Sequence, residues 1–157
     1  MLGSLSDEPV AGQMRPVFDD FGIAVHYEVC SAHRDHERLA ELIPQSEKAG
    51  AKVIVAVAGK AAHLPGVVAA MTTRPVIGVP VDSGMHGLDS LLSIAQMPPG
   101  IPVAAVGVNA GRNAALLAVE MLSLQRPDLK RKLAAFRKAM AKKNRSDSEK
   151  LQKGLKE

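Results

Sequence analysis

Short apolar runs alternate with stretches of helical spacing along most of the chain, and this alternation restricts the fold more than any other feature. The apolar runs cover residues 24–30, 53–58, 76–79 and 103–108. They are mostly β-branched and bounded by turn residues, which is typical of buried strands. The spacing of apolar residues between them predicts helices over residues 10–21, 36–49, 61–71, 88–95 and 113–124.

This order predicts a parallel sheet covered on both faces, because each crossover helix must return the chain to the same edge of the sheet. We therefore expect a three-layer, doubly wound α/β fold. A chain of 157 residues with 46% apolar composition is long enough for one such core and too short for two. We expect residues 1–126 to form this domain and residues 127–157 to form a basic C-terminal helix and tail.

Two histidine-containing strings directly follow predicted strands. Ser31-Ala32-His33-Arg34 follows the first strand, and Ala61-Ala62-His63-Leu64-Pro65-Gly66 follows the second. In doubly wound sheets, ligands bind outside the carboxyl ends of the strands. Both imidazoles are therefore expected in one crevice, together with the loops at 81–89 and 109–113.

The residue types in the first string suit proton transfer and phosphate binding. A histidine side chain carries a proton near neutral pH, and the planar guanidinium of an arginine binds phosphate through two hydrogen bonds. His33 and Arg34 are therefore candidate site residues. His63 begins an apolar helix and fits either a buried structural histidine or a ligand contact. Cys30 ends an apolar strand, which favours a core position over a nucleophile.

The segment Gly3-Ser4-Leu5-Ser6-Asp7 precedes a helix whose first turn contains Glu8 and Pro9. Small and hydroxyl residues at this position can present amides and hydroxyls to a phosphate or a ribose. They can equally form an ordinary helix cap, with Asp7 or Ser6 accepting hydrogen bonds from the first amides. The residues alone leave both interpretations open.

The net charge of +4 is unevenly distributed, because residues 128–157 carry 11 Lys/Arg and 4 Asp/Glu, whereas residues 1–127 carry 9 and 12. A basic tail can bind nucleic acid. This tail has no interleaved aromatic residues, and Leu129, Leu133, Phe136 and Met140 recur at helical spacing. We expect a helix that packs on a neighbouring subunit and frays after Asn144, with no nucleic-acid partner.

Other features of the sequence argue against several classes of protein. The sequence has no run near the roughly 18 to 20 apolar residues of a membrane helix, and no charged-then-apolar leader. A single cysteine forms no internal disulfide, and His-x-x-x-His and Cys-Cys metal spacings are absent. We expect a cytoplasmic protein with no membrane partner and no metal.

Six ordered strings resemble the PurE family of purine biosynthesis: GSLSD, SAHR, AGKAAHLPG, PVIGVPV, GLDSLLSIAQMPPGIPVA and NAALLA. The resemblance extends from Gly3 to about Leu124 and implies a flavodoxin-like fold, a homo-octamer and a small-molecule ribonucleotide substrate. Bacterial-type members are mutases that convert 5-(carboxyamino)imidazole ribonucleotide to 4-carboxy-5-aminoimidazole ribonucleotide without a cofactor. Animal-type members carboxylate aminoimidazole ribonucleotide directly with carbon dioxide. The strings SAHR and AAHLPG resemble the mutase branch.

The resemblance also implies roles for individual residues. His33 corresponds to the general acid/base. The substrate-binding positions contact phosphate and ribose or enclose the migrating carboxyl group, and they correspond to Ser4, Asp7, Ser31, Arg34, Ala58, Gly59, His63 and Leu64. A loop at the subunit interface that helps close the site corresponds to Gly87, Asp89 and Ser90. A functional link to the synthetase that forms the carbamate is implied as well.

Three positions depart from the family pattern. Asp35-His36 replaces the Thr-Pro that commonly follows SAHR. Residues 56–60 read AVAGK where the family often has AGAGG, and Lys60 is expected to be solvated, with a carboxylate contact as the alternative. Only Met1 and Leu2 precede Gly3, where the family has a complete central strand, which predicts a native start further upstream. Direct carboxylation and a non-catalytic nucleotide-binding module are the alternatives to the mutase.

Overall fold

The computed structural model describes residues 1–155, and within them the sheet has three parallel strands in the order β1-β2-β3. The strands are β1 Ile54–Gly59, β2 Val76–Val81 and β3 Ala104–Ala105. β1 pairs with β2 along its whole length, from Ile54 opposite Val76 to Gly59 opposite Val81. The parallel α/β fold expected from the sequence is confirmed.

Helices cover both faces of this sheet. A short 3-10 turn at Leu5–Asp7 precedes the first helix, and a second at Met85–Gly87 precedes the fifth. The α-helices of the described residues are α1 Glu8–Gly12, α2 Arg15–Phe21, α3 His36–Lys48, α4 Leu64–Ala70, α5 Leu88–Ala95, α6 Gly111–Ser123 and α7 Pro127–Gly154.

The two faces of β1 contribute to two separate hydrophobic cores. Successive side chains of a strand point to opposite faces. Val57 therefore packs with residues of α1, α2, α6 and α7, whereas Ala56 and Ala58 pack with residues of α3, α4 and α5. On β2, Ile77 and Val79 join the first core, and both are fully buried. This is the doubly wound, three-layer arrangement.

The first residues of the chain lie beside β1. Leu2 forms parallel bridges to Val29 on one side and to Val57 on the other. The amide of Gly3 donates to the carbonyl of Val57 over 2.9 Å. This short extended segment occupies a central place in the sheet and delivers Ser4 to the edge where β1 ends.

Two expected strands are shorter in the structure than in the prediction. Within residues 24–30 only Val29 forms a bridge, because its neighbour, the segment around Leu2, offers pairing groups over a short stretch. Within residues 103–108 only β3 forms a regular ladder. The amide of Asn109 still donates to the carbonyl of Pro80 over 2.8 Å, so this segment follows β2 irregularly beyond β3.

Prolines move two of the predicted helix boundaries. The helix expected over 10–21 is two helices, because Pro16 has no amide hydrogen to continue the first and instead occupies the first turn of α2. The helix expected from residue 61 begins at Leu64, with Pro65 in its first turn. His63 therefore lies at the N-cap position of α4.

Helix α7 corrects two expectations. It continues to Gly154 instead of fraying after Asn144, because residues 145–153 contain no glycine or proline to end it. Its apolar stripe was expected on a neighbouring subunit, yet Leu129 and Leu133 are 0% and 8% exposed in the first core of their own chain. Met140 is 57% exposed. Among residues 1–155, no helix is both long enough and apolar enough to cross a membrane.

Candidate active site

A cleft of about 480 Å³ lies at the carboxyl ends of the strands. This volume falls within the range of small-molecule sites. Segments from the amino end, the loop before α3, the end of β1 and the loop after β2 form its walls. The lining residues are Gly3, Ser4, Ser6, Asp7, Ser31, Ala32, His33, Arg34, Ala58, Gly59, Lys60, Ala61, Ala62, His63, Leu64 and Ser83.

Two histidines from different loops meet in this cleft. Nε2 of His33 lies 2.7 Å from Nδ1 of His63, and the rings pack edge to face with centroids 4.9 Å apart. At this distance the two nitrogens share one hydrogen, so one ring donates and the other accepts. Each ring keeps a second nitrogen, Nδ1 of His33 and Nε2 of His63. The pair is therefore equipped to hold and transfer a proton inside the cleft.

The amino-terminal loop is both a helix cap and a wall of the cleft. The amide of Ser4 donates to Oδ2 of Asp7 over 2.9 Å, and the hydroxyl of Ser4 accepts a hydrogen bond from the amide of Ser6. Asp7 is 5% exposed. Burial raises the pKa of the Asp7 carboxyl, whereas hydrogen bonds from the amides of Ser4 and Gly3 and the charge of Arg34 lower it. The two interpretations that the sequence left open are compatible.

Arg34 connects two walls of the cleft. Its Nη2 donates to the carbonyl of Gly3 over 3.0 Å, which joins the loop before α3 to the amino-terminal loop. A guanidinium has five N–H donors, so most of them remain for a ligand. Asp35 follows directly and accepts a hydrogen bond from the amide of Arg38, so it caps α3. This gives the departure at Asp35 a structural role.

Gly59, the last residue of β1, allows the loop after β2 to touch the end of β1. A Cβ at this position would lie 2.2 Å from Oγ of Ser83, a distance that side chains do not adopt. The absence of a side chain at Gly59 therefore lets the Ser83 hydroxyl approach the end of β1. Ser83 lines the cleft although no role was expected for it from the sequence, and the signal that could have found it is its place just beyond the end of a strand. The other lining residues outside the predicted site set are Gly3, Ser6, Ala32, Lys60, Ala61 and Ala62.

The structure brings most of the predicted site residues together. His33 and the eight expected binding positions all line the cleft: Ser4, Asp7, Ser31, Arg34, Ala58, Gly59, His63 and Leu64. The loop residues Gly87, Asp89 and Ser90 lie outside its lining. Oγ of Ser90 lies 2.9 Å from the carbonyl of Val81 and 3.0 Å from that of Gly87, so it holds this loop against β2. Their part in closing a site between subunits stays a prediction.

Cys30 lies in the second core, and burial raises the pKa of its thiol. A thiol with a raised pKa is a poor nucleophile at neutral pH. In the part of the chain that the structure describes, no group of three or more His, Cys, Asp and Glu side chains is arranged to hold a metal ion.

The sequence of this chain matches a known protein family over most of its length. The model of AIR carboxylase matches residues 1–143. The chain belongs to the AIR carboxylase family. Residues 3–83, which include every residue lining the cleft, fall within the part that the family model matches.

Named relatives and solved structures of the AIR carboxylase family agree with this assignment. The chain is 54% identical over 141 residues to N5-carboxyaminoimidazole ribonucleotide mutase of Pyrococcus abyssi, covering 89% of this chain and 81% of that protein. It is 47% identical over 156 residues to the protein of that name from Methanocaldococcus jannaschii, covering 99% and 98%. A crystal structure of Treponema denticola PurE superposes with a TM-score of 0.88 at 28% identity, covering 96% of this chain and 94% of that one. The flavodoxin-like fold is thereby confirmed.

Proposed function

We propose that this chain is an N5-carboxyaminoimidazole ribonucleotide mutase, an isomerase of purine biosynthesis. It converts 5-(carboxyamino)imidazole ribonucleotide to 4-carboxy-5-aminoimidazole ribonucleotide by moving a carboxyl group. Relatives at 54% and 47% identity bear this name. The observation that carries the proposal is the contact between His33 and His63 in a cleft that also contains the arginine, aspartate and serines suited to a ribonucleotide.

The amino-terminal loop and the loop before α3 bind the ribose and the phosphate. Arg34 and Ser31 contact the phosphate, because a guanidinium and a hydroxyl donate hydrogen bonds to its oxygens. Ser4 contributes to the same end of the cleft, and Asp7 accepts hydrogen bonds from ribose hydroxyls. The Arg34 side chain already donates a hydrogen bond to the carbonyl of Gly3. It is therefore partly positioned before the substrate enters the cleft, which lowers the entropy lost on binding.

In the first chemical step, the bond between the exocyclic nitrogen and the carboxyl carbon breaks. Carbon dioxide leaves, and the nitrogen takes up a proton in its place. His33 donates this proton, and His63, in hydrogen-bond contact with it, holds the ring in place. The products held in the cleft are carbon dioxide and an electron-rich aminoimidazole.

In the second step, ring carbon 4 attacks the carbon dioxide and forms the new carbon–carbon bond. Carbon 4 must then release the proton that it carried. His33, left neutral by the first step, accepts that proton and returns to its starting state. One proton is given and one is recovered, so the reaction needs no external acid or base.

The walls near the reacting atoms keep carbon dioxide beside the ring. Ala58 and Leu64 are 5% and 2% exposed and form an apolar surface next to Gly59 and His63. A trapped reactant has a high effective concentration, and excluded water does not compete for it. Loss of carbon dioxide from the cleft would turn the mutase into a decarboxylase.

The protein acts as a homo-octamer in the cytoplasm and uses carbamate made by a separate synthetase. Residues 1–126 form the catalytic domain, and residues 127–155 form a C-terminal extension of that domain; residues 156 and 157, the end of the predicted tail, lie outside the described residues. An exposed apolar patch around α5 supports the assembly, because Met85, Leu88 and Leu92 are 72%, 50% and 47% exposed. Such patches on single chains mark protein contacts. The interface loop with Gly87, Asp89 and Ser90 begins α5 and lies beside the same patch.

An assay that offers the two substrates separately tests this function. A mutase converts 5-(carboxyamino)imidazole ribonucleotide to the 4-carboxylated product without added bicarbonate. A direct carboxylase forms that product from aminoimidazole ribonucleotide and bicarbonate instead. We expect rapid conversion of the carbamate and little product from the second mixture. Ligand binding without turnover of either mixture would overturn the proposal and favour a non-catalytic nucleotide-binding module.

A further inference from the structure

Lys60 holds a backbone conformation that disfavours its side chain. Its φ is +56°, in the left-handed region that glycine adopts without strain. It directly follows β1 and lines the cleft between Gly59 and Ala61. A residue other than glycine persists in such a conformation when its side chain contributes something that compensates for the strain, and strained residues cluster at ligand sites.

The charge of Lys60 also has no structural use in the described residues. The ion pairs of residues 1–155 join other residues, and the side-chain hydrogen bonds do not include the Lys60 ammonium. The one carboxylate that lines the cleft, Asp7, already accepts the amide of Ser4. The Lys60 ammonium is therefore available to an anion that enters the cleft from solvent.

The position of Lys60 indicates which anionic group it binds. In the proposed function, Arg34 on the loop before α3 and the amino-terminal serines bind the phosphate. Lys60 belongs to a different wall of the cleft, the strand-to-helix loop that also carries His63, and its neighbour Gly59 lies against the Ser83 hydroxyl. Ser83 offers a hydroxyl donor on the loop after β2. The cleft thus has a second cationic side chain, on the same loop as one member of the histidine pair.

We propose that Lys60 is a specificity-determining residue that binds the carboxylate of the substrate and of the product, with Ser83 donating a second hydrogen bond. This role deepens the proposed function and rests on it for the identity of the ligands. Lys60 discriminates carboxylated aminoimidazole ribonucleotides from the nucleotide that lacks the carboxyl group. No covalent step is assigned to it.

Binding of two nucleotides that differ in the carboxyl group tests the proposal. Lys60→Met removes the charge and retains the length of the side chain. We expect the Kd of 4-carboxy-5-aminoimidazole ribonucleotide to rise about tenfold, as for loss of one hydrogen bond to a charged group. The Kd of aminoimidazole ribonucleotide should stay within about twofold, since its contacts are unchanged. Lys52→Met is the matched control, because Lys52 is an exposed lysine just before β1, at the opposite end of that strand.

A second variant separates binding from backbone strain. Lys60→Gly relieves the left-handed conformation, so the thermal unfolding temperature should rise while discrimination between the two nucleotides is lost. Lys60→Arg should retain most of the discrimination. The proposal is wrong if Lys60→Met and Lys60→Gly bind both nucleotides as the unsubstituted chain does, or if both ligands weaken equally.

These outcomes are distinct from failure of the proposed function. If the unsubstituted chain does not convert the carbamate, the mutase assignment fails, whatever the Lys60 variants bind. If the chain converts the carbamate and Lys60→Met retains full discrimination, only the role of Lys60 fails.

Discussion

Nε2 of His33 and Nδ1 of His63 lie 2.7 Å apart, although the residues are 30 positions apart in the sequence. Each follows an extended segment of the parallel arrangement, and parallel segments end at the same edge. The contact therefore follows from the topology of the fold. It limits the rotation of both rings and places a shared hydrogen between them.

Substitution of His63 tests whether this contact contributes to proton transfer. His63→Asn keeps a polar group near the position of Nδ1 but cannot share a proton with His33. We expect kcat to fall by about tenfold or more, as for loss of a group that orients a reacting side chain. An unchanged kcat would show that the contact has no catalytic part.

We expect Asp7 to strengthen substrate binding and to lower the stability of the fold. Burial raises the pKa of its carboxyl, which means that the ionised form is disfavoured by the fold. In Asp7→Asn an amide oxygen still accepts the amide of Ser4, and the buried charge is gone. Thermal unfolding should show an unchanged or higher Tm, while KM should rise about tenfold with the loss of charged acceptors for the ribose. A lower Tm with an unchanged KM would place Asp7 in the fold alone.

In a chain that begins at Met1, the buried amino group of Met1 makes stability depend on pH. Burial lowers the pKa of this amine from 8.0 to about 6, and the negative charge of Glu28 opposes this shift more weakly. The amine donates a hydrogen bond to the carbonyl of Val55 over 2.7 Å. Below about pH 6 the amine is charged in both the folded and the unfolded chain, and the folded chain bears the full free-energy cost of burying that charge. Above about pH 8 the amine is neutral in both the folded and the unfolded chain, and this cost is absent. The free energy of unfolding should therefore rise between these values, by about 2–3 kcal/mol.

Denaturant unfolding across this pH range measures the effect. Acetylation of the Met1 amine is the control, because an amide does not titrate. The difference between the two stability curves isolates the contribution of the amine from that of every other titratable group. Parallel curves for the free and the acetylated chain would contradict the prediction.

Leu129 is expected to stabilise the catalytic core, although it lies in the C-terminal extension. It is 0% exposed, whereas Met140 on the same helix is 57% exposed. Leu129→Ala should lower the free energy of unfolding by about 2–5 kcal/mol, since it leaves a cavity. Met140→Ala is the matched control and should change it by no more than about 0.5 kcal/mol. Equal effects of the two substitutions would show that α7 does not pack on its own domain.

Much of the fold and the cleft could be predicted from local pattern. The apolar runs located β1 and β2 within two residues at each end, and the rule that ligands bind at strand ends located His33 and His63. Strand length at 24–30 could not be predicted, because a ladder depends on what lies beside it. The surface against which the apolar side chains of α7 pack could not be predicted either, because an apolar residue such as Leu129 packs equally well on its own chain or on another subunit.

Specific contacts within the cleft could not be predicted from the sequence for a similar reason. The approach of Ser83 to Gly59 depends on two loops that are distant in the chain. The left-handed backbone conformation of Lys60 could not be predicted from the sequence, because lysine rarely adopts it. Sequence pattern therefore indicated which loops line the cleft, and tertiary packing determined which further side chains line it with them.

The most direct test of proton transfer by His33 is a comparison of turnover and nucleotide binding in His33→Asn. Asparagine retains some hydrogen bonding but carries no proton at neutral pH, so kcat for the carbamate should fall by about a hundredfold or more while Kd changes little. Arg34→Ala is the contrasting variant, because it removes a phosphate contact present in ground and transition states alike and should weaken affinity first. Near-normal kcat in His33→Asn, together with a collapse of nucleotide binding, would show that His33 is a binding residue and would contradict the proposed mechanism.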